Sequence, residues 1–176
     1  MNAKNEAIFG AHAQSDRFDI EAVFRSNYPR IARVIARVVH DPSRSEELAV
    51  AVFCRLDREP RVAPEAVNAW LYKTAVRLGL DELRRRIRRQ KYERLFSVAR
   101  PNPTPEELHS TSEERVQVRT VLAAIKTRNA KLLMLRADGL SYQEIGDVLS
   151  LNPASVGTFL KRAQEAFRQE YRRRYE

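Results

Sequence analysis

The sequence predicts an all-α protein built as two small helical domains joined by a proline-rich linker. Three observations predict it. Apolar residues recur at i, i+3 and i+4 through segment after segment, and no apolar–polar alternation of strand length occurs. The periodic segments open on helix-start signals such as DPSRSEEL, LSYQE and LNPAS. After Phe96 the periodicity stops, and Pro101, Pro103 and Pro105 fall within five residues, which favours an extended, exposed connection. With 43% apolar and 31% charged residues in 176, two compact units of well under ~100 residues each satisfy both the need for a core and the large solvated surface.

Residues 1–17 are polar and patternless and are read as a flexible arm. The first domain covers residues 18–96. Its first helix carries Phe18, Val23, Phe24, Tyr28, Ile31, Val34, Ile35, Val38 and Val39 at helical spacing, and Pro29 inside it is expected to kink or restart it. The second opens either with Asp41 as cap and Pro42 at the first position, or with a Ser43–Glu46 capping box. It continues through Leu48, Val52, Phe53 and Leu56 and ends at EPRVAP. The third starts near Pro64 and buries a stripe of Val67, Trp70, Leu71, Thr74, Ala75 and Leu78. Tyr72 lies off that stripe and is expected to be exposed. The helix then runs into RRRIRRQK, six basic residues (Arg84, Arg85, Arg86, Arg88, Arg89, Lys91) in eight positions.

Residues 97–111 form the linker, within which Thr104 and Glu107 signal a short helix. The second domain covers 112–176. Val116, Val118, Val121, Leu122 and Ile125 mark one helix; Leu132, Leu133, Met134 and Leu135 mark another that stops at Asp138-Gly139. Ser141 and Glu144 form a capping box for a short helix whose inner face is Ile145, Val148 and Leu149. After the turn Ser150-Leu151-Asn152, Asn152 caps a longer helix with Pro153 at its first position, and Val156, Phe159, Leu160, Ala163 and Phe167 point inward. Short helix, tight turn, longer helix is a helix-turn-helix, whose second helix enters the major groove of DNA.

Charge narrows the function. The formal charge is +9 and the isoelectric point about 10.1, so a polyanion is the first partner to consider. Nine basic residues and three acids between Lys73 and Arg94 give a net +6, most of the total, on one element. Cys54 sits among apolar neighbours, and a lone cysteine agrees with a reducing compartment. His12, His40 and His109 have no partner cysteines at metal spacing, no phosphate-cradling glycine loop occurs, and no serine–histidine or paired-carboxylate arrangement falls on one element. No enzyme activity, cofactor or metal is therefore expected. The N-terminus lacks an apolar signal region, and no apolar run of about 18 residues occurs, so a cytoplasmic protein without membrane insertion is expected.

Three passages resemble the bacterial RNA polymerase sigma factors of the extracytoplasmic-function (ECF) type, which keep only sigma domains 2 and 4. SEELAVAVFCRLDRE resembles the acidic helix that docks on the β′ clamp helices of core polymerase; the resemblance assigns polymerase contact to Glu46, Glu47 and Arg55. AWLYKTAVRLGLDELRRRIRR is similar to the segment that reads and melts the minus-ten element, which implicates Tyr72, Lys73, Arg77, Arg84, Arg85 and Arg88. GLSYQEIGDVLSLNPASVGTFLKRAQEAF is similar to the minus-thirty-five helix-turn-helix, which implicates Ser155, Thr158, Lys161 and Arg162. The implied partners are promoter DNA, core RNA polymerase through its β′ clamp helices and β flap, and an anti-sigma factor where one exists. The physics agrees, because promoter melting needs a basic groove and aromatic platforms for unstacked bases.

The sequence departs from the family pattern at three places. Val50-Ala51 stand where a glutamine–glutamate pair is usual, Val76-Arg77 replace arginine–asparagine, and Gly157 and Phe159 replace a lysine and an arginine. Arg77 offers only donors where asparagine pairs a base edge at two points, so minus-ten preference is expected to differ. The lost polar pair and the altered recognition helix keep a second reading in view, a sigma mimic that binds an anti-sigma factor without initiating transcription; a third, a stand-alone helix-turn-helix regulator, leaves the first domain unexplained.

Overall fold

The computed structural model of the chain describes residues 18–96 and 110–176. Seven α-helices and a short 3-10 turn (Pro64–Ala66) make up the described residues, and no strand occurs among them. In chain order the helices are α1 (Ile20–Val39), α2 (Pro42–Asp57), α3 (Val67–Phe96), α4 (Ser110–Ala124), α5 (Thr127–Ala137), α6 (Tyr142–Leu149) and α7 (Pro153–Tyr175). The short helix expected at Thr104–Glu107 lies outside the described residues.

Local chemistry accounts for most helix starts. The Asp19 carboxylate accepts from the Glu21 and Ala22 amides at 2.9 and 3.2 Å, meeting two of the donors a helix start leaves unpaired. Of the two starts open for α2, the structure uses Asp41, whose side chain accepts from Arg44 N at 3.0 Å with Pro42 behind it. α6 carries the full capping box: Glu144 N donates to Ser141 Oγ at 3.2 Å, and Ser141 N donates to the Glu144 carboxylate at 2.7 Å. Asn152 caps α7 through Ala154 N at 2.9 Å. Of the kink or restart expected at Pro29, the restart does not occur: α1 runs unbroken from Ile20 to Val39. Pro29 and Arg30 lie on the exposed side of the helix, where water can serve the carbonyl that the proline leaves without a donor.

α1, α2 and α3 pack around Ile31, Ile35, Val52, Phe53, Leu56, Leu71 and Leu80, all at most 1% exposed. Phe24 meets the Phe53 ring edge-on at 4.8 Å and stacks on Tyr28 at 4.9 Å. α4 to α7 surround Val121, Leu132, Leu135, Leu140, Ile145 and Val156. Of the apolar residues that mark α4 and its end, Val116 and Val118 are exposed, while Val121, Leu122 and Ile125 are buried. The helix-turn-helix closes tightly: Leu151 N donates to the Gly146 carbonyl at 2.8 Å, and Ser150 adopts the left-handed conformation at φ 54°. A Cβ on Gly146 would stand 2.8 Å from the Leu151 carbonyl oxygen, so glycine permits this turn's close approach. The two helical groups share one buried apolar cluster, with α3 packed on α4, α5 and α6 as well as on α1 and α2.

Candidate nucleic-acid interface

Helix α3 presents two different faces. Lys73, Arg77, Arg85 and Arg88 are exposed, together with Arg89 and Lys91. Tyr72 is not. It is 6% exposed, its hydroxyl donates to Asp138 Oδ2 at 3.3 Å, and the Arg30 guanidinium lies 5.6 Å from its ring centroid. Burial raises its pKa above the usual tyrosine value. The apolar stripe from Val67 to Leu78 packs inward as expected, with Trp70 and Leu78 partly covered. Tyr72 belongs to a second buried face, with Val76 and Gly79, that α5 and α6 cover. Among the described side chains of α3, the exposed aromatic is Tyr92, at 61%, within the basic tail.

The arginine run is also divided. Arg84 reaches the end of α4: Nε donates to the Ala123 carbonyl at 3.0 Å, Nη2 to the Ile125 carbonyl at 3.1 Å and Nη1 to Thr127 Oγ1 at 2.8 Å. The two carbonyls are of the kind that a helix end leaves unpaired, and a cation there is also favoured by the helix dipole. Arg86 does the same for α1 by donating to the Val39 carbonyl at 3.0 Å. Arg85 lies 3.7 Å from the Glu82 carboxylate, which Arg44 of α2 also meets at 3.0 Å. Lys131 of α5, partly covered, lies within electrostatic reach of α3. Burial and the nearby Arg77, Lys73 and Arg84 push its pKa below the usual lysine value, with Asp81 opposing them. Lys131 thus extends the α3 basic surface. Sequence periodicity carries no signal for that, because the two helices meet only in the fold.

On α7, Thr158, Lys161 and Arg162 are exposed and Ser155 is partly covered. Thr158, Lys161 and Arg162, with Arg136, Tyr142 and Arg168, line an open groove of about 740 Å³ that Ser155 does not border. Three of these residues, Arg136, Tyr142 and Arg168, escaped the sequence reading. Tyr142 is 47% exposed, and the Arg136 guanidinium lies 5.5 Å from its ring centroid. A Cβ on Gly157 would stand 3.3 Å from Tyr142 Cε2, so the tyrosine ring occupies space beside the missing side chain. The available signal was its place just after the capping serine, off the Ile145–Val148–Leu149 face. Phe159 packs as expected, partly buried, with the Arg128 guanidinium 4.0 Å from its ring centroid.

Glu46, Glu47 and Arg55 are exposed on α2, and Glu47 pairs with Arg44 at 2.7 Å. Val50 and Ala51 are partly covered. Among the described residues no group of histidine, cysteine or acidic side chains has the geometry of a metal site, and no helix is long and apolar enough to cross a membrane.

Comparison with known proteins matches this division. The Sigma-70 region 2 family model matches residues 23–89, and that of Sigma-70, region 4 matches residues 115–166. The chain is 25% identical to the ECF RNA polymerase sigma factor SigE of Mycolicibacterium smegmatis, over 84% of this chain and 60% of that protein. It is 23% identical to the ECF RNA polymerase sigma factor SigK of Mycolicibacterium vanbaalenii, over 96% of this chain and 89% of that one. With the RNA polymerase sigma factor YlaC of Bacillus subtilis the identity is 26%, over 84% and 89%. The alignment with SigE thus spans 60% of that relative's length. Two matched regions, in this order and each on its own group of helices, identify the chain as a member of the ECF-type RNA polymerase sigma factors, a family of transcription initiation.

Proposed function

We propose that the chain binds core RNA polymerase, with the exposed Glu46, Glu47 and Arg55 of α2 toward the β′ clamp helices and the second unit toward the β flap. It recognises and melts the minus-ten element through α3 and reads the minus-thirty-five element through α7, without covalent chemistry of its own. The observation that carries this reading is the exposure of candidate cations on both helices: Lys73, Arg77, Arg85 and Arg88 on α3, Lys161 and Arg162 on α7. Lys131 adds to the first surface, and Tyr92 supplies an aromatic platform for an unstacked base. Tyr142 and Arg136 join Thr158, Lys161 and Arg162 in the second, with Ser155 on the same helix, where a phenol and a guanidinium suit phosphate or a base edge.

Run-off transcription with purified protein and core polymerase tests the proposal. The expected result is a promoter-dependent product whose yield falls steeply with salt, with about −0.9 in log–log slope per neutralised phosphate on duplex DNA. Absence of product together with absence of co-purification with core overturns it.

A further inference from the structure

Two grooves flank the C-terminal end of α1, and they differ in charge balance. In the first, Asp41, Glu82 and Glu93 stand among Arg44, Arg86 and Arg89, and Arg44 is answered by Glu47 at 2.7 Å and Glu82 at 3.0 Å. The second is an open groove of about 450 Å³ between α1 and α4. Arg37, His40, Arg115 and Arg119 line it with one acid, Glu114, and Ala36 and Val118 add apolar surface. From α3, Arg86 is near enough to act electrostatically on both His40 and Arg119.

The cations of this second groove lack counter-charges. Among the described residues, no carboxylate pairs with Arg115, Arg119 or His40, and their side chains make no hydrogen bond. Arg37 donates to the Ala137 carbonyl and lies 3.8 Å from Asp138, and Arg86 donates to the Val39 carbonyl at 3.0 Å. A guanidinium has five N–H donors, so both keep donors to spare. The crowding has a measurable signature. Burial, then Arg86 and Arg115, push the Arg119 pKa below the usual arginine value. Arg119 first, then burial, Arg115 and Arg86, hold His40 below the ordinary histidine value. Glu114 and the carbonyl end of α1 oppose an anion here. Arg86 already answers the Val39 carbonyl, however, and four guanidiniums outnumber the one carboxylate.

We propose that this groove binds a small diphosphate-bearing anion, either pyrophosphate or the diphosphate group of a nucleotide, through Arg115, Arg119 and His40, with Arg37 and Arg86 at its margin. Arg115 and Arg119 are one turn apart on α4, so they share a face and offer two guanidiniums to two linked phosphoryl groups. A groove of about 450 Å³ is larger than a lone phosphate needs and falls within the range of small-molecule sites. Arg119 is partly covered, which a free anion reaches more readily than does a phosphate held in a duplex backbone. The site uses neither α7 nor the exposed cations of α3, so it stands apart from the two candidate DNA surfaces.

The test titrates the full chain with pyrophosphate, ADP, GDP and AMP at about 0.1 M salt, following the His40 ring by NMR, its signal identified by loss in His40→Asn. Binding is expected to raise the His40 titration midpoint, because a bound anion offsets Arg119, Arg115 and Arg86. Pyrophosphate is expected to bind about tenfold more tightly than AMP. Arg115→Gln and Arg119→Gln are each expected to weaken pyrophosphate binding about tenfold. Arg58→Gln makes the same charge change at an exposed position outside the groove and is expected to weaken it less than about twofold. Without ligand, Arg119→Gln is expected to raise both the thermal midpoint and the His40 midpoint, because it removes a repelling neighbour. Tighter binding of ADP or GDP than of pyrophosphate supports the nucleotide as ligand, with the nucleoside against Ala36 and Val118; equal affinities support inorganic diphosphate. No response of His40 up to about 5 mM pyrophosphate, or an equal loss in Arg58→Gln, overturns the site. So does a lower thermal midpoint in Arg119→Gln, which would make that arginine structural, or a random duplex that moves His40 at lower concentration than pyrophosphate. No readout involves polymerase, so the outcome is separable from failure of run-off transcription.

Discussion

Helices α3 and α7 are the two longest helices among the described residues, both basic, and they use their arginines in opposite ways. In α3 the run passes alongside the ends of other helices: Arg84 closes α4, Arg86 closes α1, and Arg85 neighbours Glu82, which also holds Arg44 of α2. In α7 the pairs stay on the helix itself. Arg168 meets Glu165, Arg173 and Arg174 meet Glu170, and Arg172 meets Glu176, all at i,i+3 or i,i+4 spacing. An arginine becomes structural where a carbonyl-bearing helix end comes within its reach. Where a helix lies at the edge of the fold, the same residue stays available to a ligand. Composition alone makes the two helices look alike.

The comparison can be broken first at the core side of α3. Leu71→Ala removes a side chain with 0% exposure and is expected to cost about 2–5 kcal/mol in urea denaturation, more than any single change among the exposed residues of α7.

Arginine truncation separates the two uses directly. Arg84→Ala loses three hydrogen bonds from a charged donor and is expected to destabilise by about 1.5–3 kcal/mol. Arg162→Ala is expected to change stability by less than about 0.5 kcal/mol, yet to weaken duplex binding and reduce the salt slope by about 0.9. Equal stability losses would erase the distinction.

Two glycines of the helix-turn-helix sharpen it further, with opposite signs. Gly146→Ala drives a methyl to 2.8 Å from a backbone carbonyl that cannot swing aside, with an expected cost of about 1–3 kcal/mol. At Gly157 the obstacle at 3.3 Å is the exposed Tyr142 ring, which can rotate. Gly157→Ala is therefore expected to raise the denaturation midpoint, by up to about 1 kcal/mol from helix propensity, while moving Tyr142 and altering duplex affinity.

The smallest effect lies at the end of α7. Hydrogen bonds from Arg173 and then Arg174 lower the Glu170 pKa from 4.5 to about 2. Because the folded value is the lower one, the unfolded chain takes up the proton first as pH falls. The contribution is present above pH 4.5 and is lost between there and about 2. An NMR titration of the Glu170 carboxyl carbon is expected to show a midpoint near 2 in the folded chain; a midpoint at the ordinary value would mean these pairs do not persist in solution.

What the sequence determined by itself was local. The Ser141–Glu144 box, the Asn152 cap with Pro153 behind it, the stop at Gly139 and the Val67–Leu78 stripe all depend on residues within about one or two turns of each other, so spacing suffices to find them. Asp41 against Ser43 as the cap of α2 was left open, as was a kink or a restart at Pro29, where no restart occurs, because exposure rather than spacing decides whether a missing donor matters. Only the tertiary structure decided that Tyr72 is buried, that Val116 and Val118 are not, and that Lys131 and Tyr142 belong to the two candidate surfaces. It also divided a uniform arginine run into cross-helix caps and free cations. The physical reason is the same in each case: burial and pairing are set by what a neighbouring helix, distant in sequence, places against a residue, and helical periodicity records only that a face exists, not what covers it.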